Sequence, residues 1–185
     1  MKKLFILFLI TITFFACGES KPQIPIVGKI TQLNEVFTFE SLTDVGFKKL
    51  KSYKVDDLPN ADSAYFGWKQ VGIEGKKDFE IRIYKSHEDA INHGTLFADE
   101  VTGKKAVITK KDATWKEGIK DRRLISTPSD GGSIGAAIGS KSSPKYADYI
   151  IYANLIILCE GWDSEESFSR CSDFVNNLGK NQIIE

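Results

Sequence analysis

Serine, histidine, aspartate and arginine are the residue types in this chain that could do chemistry, and their spacing decides how far each can be taken. Gly131-Gly132-Ser133-Ile134-Gly135 fits G-x-S-x-G, in which a sharp strand-to-helix turn presents an activated serine. That arrangement places its histidine after the serine, whereas His87 and His93, the two histidines of the chain, both precede it. Nothing beyond Ser133 supplies the helix that should follow, so a Gly/Ser-rich loop is the simpler reading. Gly135 to Ser142 comes within one residue of a phosphate-binding loop. Ser140 stands where the second glycine is needed, however, and Pro144 interrupts the helix that should begin at the lysine.

His87 and His93 are six apart and fall on different sides of a helix, so they cannot share a metal. Asp89 and His93, four apart, share a face and could supply two ligands of a site completed elsewhere. An i,i+4 ion pair gives the same spacing without a metal, and no metal site is expected. "DATWKEGIKDRRL" is the densest polar segment. Its Arg122 and Arg123 suit bidentate recognition of a carboxylate or phosphate, and Trp115 offers a stacking wall. The bland use of the same charges is a solvated connection paired with Glu117 and Asp121. Trp115, Arg122, Arg123 and, from the glycine loop, Ser133 are therefore the expected ligand-binding residues, with no cofactor implied.

The N-terminus bears on where such a site would work. Met1-Lys2-Lys3 is followed by an uncharged run from Leu4 to Phe15, too short for the roughly 20 residues a membrane-spanning helix needs. Ala16-Cys17 then closes the run, and "FFAC" resembles a bacterial lipoprotein signal, although Phe14 and Phe15 replace the usual aliphatic residues before the cysteine. The resemblance implies cleavage before Cys17 and acyl chains such as palmitate on it, with residues 1–16 as signal peptide. Several buried acyl chains tether a protein far better than one. The expected location is the cell envelope, extracytoplasmic and held to the membrane through an N-terminal lipid. Residues 17–31, with Pro22 and Pro25, read as a flexible tether, and 32–185 as one domain.

Assigning Cys17 to lipid leaves an even pair, Cys159 and Cys171, which an oxidising compartment would join as a disulfide. Twenty-five basic residues balance 25 acidic ones over the whole chain, and the signal carries only Lys2 and Lys3 of these. A balance so even, without a long basic run, gives no electrostatic footprint for nucleic acid.

The elements that must position these residues follow from hydrophobic period. Ala64–Val71 and Asp78–Lys85 read as strands of a hairpin around Gly72-Ile73-Glu74-Gly75, with Phe79, Ile81 and Ile83 alternating against charged residues. Ser86 opens a helix, capped by its own side chain and ending near Gly103. The order recurs: "KYADYIIYANLIILCE" is β-rich with a tight turn at Ala153-Asn154, and a helix begins at Asp163 or Ser164 and ends at Gly179. Two ββα units predict an α+β fold, a four-stranded antiparallel sheet with both helices packed on one face, as in a ferredoxin-like pseudo-repeat. Short strands are expected at 106–109 and 122–126. Residues 36–55 are ambiguous, "TFESL" reading as strand and "FKKLKSY" as weak helix. Tyr65, Phe66, Trp68, Tyr146, Tyr149 and Tyr152 serve either as cross-strand packing or as a ligand-facing sheet surface.

"EIRIYKSHEDA", "TWKEGIKDRR" and "NLIILCEG" are similar to blocks of uncharacterised microbial secreted proteins, a resemblance that implies no activity. The expectation is a lipid-anchored domain that binds a small molecule or an envelope protein. Its rivals are an envelope hydrolase using Ser133 or a metal held partly by His93, and a structural adaptor.

Overall fold

The computed structural model describes residues 27–126 and 141–180. Cys17, the signal, most of the tether and the loop carrying Ser133 lie outside them.

The chain enters the domain earlier than its composition suggests. Ile30–Thr31 (β1) forms a short parallel strand against Ile151 and Tyr152, so the end of the expected tether belongs to the sheet. The ambiguous stretch resolves in the reverse sense to its propensities. Phe39–Asp44 is a helix (α1) and Lys48–Tyr53 a strand (β2). Thr38 and Ser41 supply the reason at the start: the Thr38 amide donates to the Ser41 hydroxyl at 3.2 Å, half of a capping box. Gly46, at φ +90°, then ends the helix where a side chain would be strained. Leu42 and Phe47 are thereby buried on either side of the turn.

Ala61–Val71 (β3) and Gly75–Tyr84 (β4) form the expected hairpin around a 3-10 turn at Gly72–Glu74. His87–Asp89 (α2), a π-helical segment Ala90–Gly94 and Thr95–Asp99 (α3) make up the predicted helix, with the Ser86 hydroxyl accepting from the Asp89 amide at 3.0 Å. Arg123–Ser126 (β5) pairs with Lys141–Pro144 (β6) as a separate two-stranded ribbon, while 106–109 is irregular. Tyr146–Tyr152 (β7) and Leu155–Glu160 (β8) form the second hairpin, and Ser164–Lys180 (α4) the last helix. Asp163 caps α4, accepting from the Glu166 amide at 2.8 Å, and the helix runs past Gly179.

One six-stranded sheet results, in the order β1-β7-β8-β4-β3-β2, antiparallel throughout except at β1. The α+β class is as expected, but the two helical elements do not share a face. Phe79, Ile81, Ile83, Ile157 and Cys159 pack with Cys171, Phe174 and Leu178 of α4. Tyr84, Ile156 and Leu158 pack instead with Ala90 and Ala98, on the other side. The ferredoxin-like layering therefore does not form. Its failure has a physical cause: β7, β8 and the second half of β4, from Phe79 on, are apolar or buried at nearly every position, and a strand buried on both faces needs cover on both. "LIILC" is such a run.

Two devices lock the centre. Asn154, buried in the β7–β8 turn beside Ala153 at φ +49°, accepts from the Phe37 amide (2.8 Å) and donates to the carbonyls of Phe37 and Tyr84 (both 2.9 Å). Cys159 and Cys171 are joined as a disulfide with Cα atoms 5.7 Å apart, tying β8 to α4. Among the described residues no helix is long and apolar enough to cross a membrane.

Candidate functional site

On β4, Glu80, Arg82 and Tyr84 alternate with the apolar residues that face α4, so strand geometry sends them to the opposite side. That side is covered by the segment leading to β5. Gly118, at φ +70°, lets this segment turn close over Tyr53, where an added Cβ would lie 2.7 Å from the ring. The amides of Asp121 (2.9 Å) and Arg122 (3.2 Å) both donate to the Gly118 carbonyl. Trp115 is anchored by its indole N–H on the Lys54 carbonyl at 3.2 Å.

The turn brings Arg122 onto Glu80 in a two-pronged contact, Nε to Oε2 at 2.6 Å and Nη2 to Oε1 at 3.0 Å. Arg82 reaches the same carboxylate, Nε to Oε1 at 2.9 Å. Its Nη2, 2.8 Å from Oε1, adds an ion pair without the alignment of a hydrogen bond. All three residues are fully buried. Trp115 stacks against both guanidiniums, its ring centre 4.7 Å from Arg122 and 5.0 Å from Arg82. Burial pushes the Glu80 carboxyl up, but the Arg122 and Arg82 charges outweigh it and hold it below the usual carboxylate range. One anion thus answers two cations in a region of low dielectric.

Tyr53 separates this cluster from solvent. It meets Trp115 edge-on at 5.9 Å and donates its hydroxyl to Asp121 Oδ2 at 2.8 Å. Burial, reinforced by the Glu80 charge and by Asp121, raises the phenol well above its ordinary value and keeps it a neutral donor. Outside Tyr53 lies an open groove of about 540 Å³ between β2 and residues 116–123. Among the described residues Lys51, Lys110, Lys116, Lys120 and Arg123 line it, against two carboxylates, Glu117 and Asp121. Those two are already engaged: Asp121 pairs with Lys51 and Tyr53, and Glu117 accepts from the Lys54 amide at 3.4 Å. Among the described residues Lys110, Lys116, Lys120 and Arg123 make no ion pair with a carboxylate. The groove can therefore attract and hold an anion without first breaking an internal contact.

Of the expected ligand-binding residues, Trp115 and Arg122 come together, but inside the core, and neither offers a surface to solvent. Arg123 lines the groove, and Ser133 is outside the described residues. Asp89 and His93 lie 3.8 Å apart, with Asp89 also taking Asn60 Nδ2 and the Ser86 hydroxyl at 2.7 Å each. No set of three or more metal-ligating side chains occurs among the described residues. His87 Nδ1 donates to the Ala153 carbonyl at 2.7 Å, a helix-to-turn contact. Tyr146, Tyr149 and Tyr152 are buried, and Tyr65 packs on Phe39 with ring centres 4.6 Å apart, so these aromatics are used in packing.

Sequence reasoning missed Glu80, Arg82 and the two groove lysines outside "DATWKEGIKDRRL", Lys51 and Lys110. The alternation Phe79-Glu80-Ile81-Arg82-Ile83 reads as one dry and one wet face. The clue against that reading was the neighbouring strand "LIILC", which leaves no wet face beside it.

Residues 38–180, well over half of the chain, match the model of a family of unknown function (DUF6810). No curated protein and no solved structure shows significant similarity to the chain.

Proposed function

The chain belongs to the DUF6810 family of unknown function, and from its own geometry we propose a non-catalytic binding domain whose ligand is anionic and sits in the groove between β2 and residues 116–123. The observation that carries this is the excess of cations there: five basic side chains face two carboxylates that are already engaged. The buried Arg82–Glu80–Arg122 cluster, one positive charge in excess, adds to the potential from behind the Tyr53 wall. No histidine lines the groove, so a Ser-His pair on Ser52 is not available there.

The domain works, in this reading, outside the cytoplasm, tethered through acyl chains on Cys17 after removal of residues 1–16. The Cys159–Cys171 disulfide is compatible with that compartment. Metabolic labelling with a palmitate analogue tests the tether: the native chain incorporates label and a Cys17→Ser variant does not. For the groove, titration calorimetry of the mature protein with poly-L-glutamate should show binding that weakens at least about tenfold in a Lys116→Glu/Arg123→Glu variant. Equal binding by the two proteins would remove the groove from the account.

A further inference from the structure

β2 is the last strand of the sheet, and among the described residues no strand pairs with its outer edge. Successive side chains of a strand point to opposite faces, yet Lys51, Ser52 and Tyr53 all line the groove. Three consecutive residues border one depression where main chain as well as side chains line it, and in β2 that main chain belongs to the last strand of the sheet. The basic groove is thus continuous with a row of backbone amides and carbonyls that have no partner strand. We propose that the anionic ligand is an extended acidic segment of another protein, which adds to β2 as a further strand and lays its carboxylates into the groove. This rests on the groove being the binding site and supplies the class of its occupant.

Charge selects that occupant. β2 is exposed at Lys48, Lys49, Leu50, Lys51 and Ser52. Lysines on an edge repel a second copy of the same edge, which guards against self-pairing. The same lysines, with Lys116, Lys120 and Arg123 beyond them, attract a strand bearing aspartate and glutamate. Main-chain hydrogen bonds would supply affinity and the alternate side chains specificity. Leu50, 57% exposed, stands at the bulge where the β2–β3 register slips between Lys49 and Lys51, and offers the incoming strand an apolar contact. A bulge residue outside the ladder also accepts proline without breaking the β2–β3 pairing.

The test compares three probes on the full mature protein: a poly-L-glutamate peptide of about ten residues, the same peptide with alternate backbone nitrogens methylated, and inorganic polyphosphate. The expected result is that methylation weakens the peptide about tenfold or more, since it removes strand pairing but no charge. Leu50→Pro should weaken the unmethylated peptide to a similar degree and leave polyphosphate unchanged, with thermal melts confirming that the variant folds. If both peptides and polyphosphate bind alike, and Leu50→Pro changes none of them, strand addition is overturned while the anion-binding groove stands. If none of the probes binds, both readings fall together.

Discussion

Glu80 carries one negative charge against Arg82 and Arg122 with all three side chains out of solvent. Removing Glu80 leaves two guanidiniums buried without an anion, which costs about 3–5 kcal/mol. Glu80→Gln should lower the urea-derived stability by that order, and Arg122→Ala, which leaves the balanced Glu80–Arg82 pair, should lower it by less. The pH dependence has a definite sign. The folded carboxyl is held below its ordinary value, so its contribution is complete above the ordinary carboxylate range near pH ~4.3 and is lost as pH falls further. Wild type should therefore lose more stability than Glu80→Gln as pH drops through and below that range. Acid unfolding curves with parallel slopes for the two proteins would contradict the assignment. Gly94 makes a second case at this scale. A Cβ there would lie 2.4 Å from Ile156 and 2.5 Å from the Tyr84 hydroxyl, so Gly94→Ala should overpack the interface by about 1–3 kcal/mol, measurable as a fall in thermal midpoint.

At the level of elements, two cross-links lock the hairpins to their neighbours. Asn154 holds the β7–β8 turn to both β4 and the segment before α1 through three hydrogen bonds. Asn154→Ala should cost about 2–4 kcal/mol, because it leaves buried backbone groups without partners. The Cys159–Cys171 cross-link closes a short loop between β8 and α4. Its removal in Cys171→Ser should cost about 2–4 kcal/mol, read by denaturant melts against the oxidised protein. Both hairpins, the caps at Ser86 and Asp163, and the disulfide were legible because each rests on local period or on residue count. The side of the sheet taken by each helix was not, since it depends on which strands are buried twice, and that is a long-range property of β4 lying beside β8. The α1 and β2 assignments inverted for a related reason: Phe37, Leu42, Phe47 and Tyr53 are placed by burial against the sheet, which overrides weak local propensity. The site was half legible. "DATWKEGIKDRRL" is visibly dense in charge, but nothing local tells Arg122, turned inward by Gly118, from Arg123 beside it in the groove.

For the whole molecule, near-zero net charge conceals an uneven distribution, with a cationic groove along one edge of the sheet and a buried positive cluster behind it. Attraction of this kind is screened by salt over about 8–10 Å, so affinity for polyanions should fall steadily between low and physiological ionic strength. The central claim is that the groove between β2 and residues 116–123 is where ligand binds. Its most direct test is an NMR titration of the isotope-labelled mature protein with poly-L-glutamate, following backbone amide shifts. The account predicts that the largest perturbations gather at residues 48–53 and 116–123 and saturate together. Shifts centred elsewhere, for instance around the exposed Trp162, or spread evenly over the sheet, would contradict it.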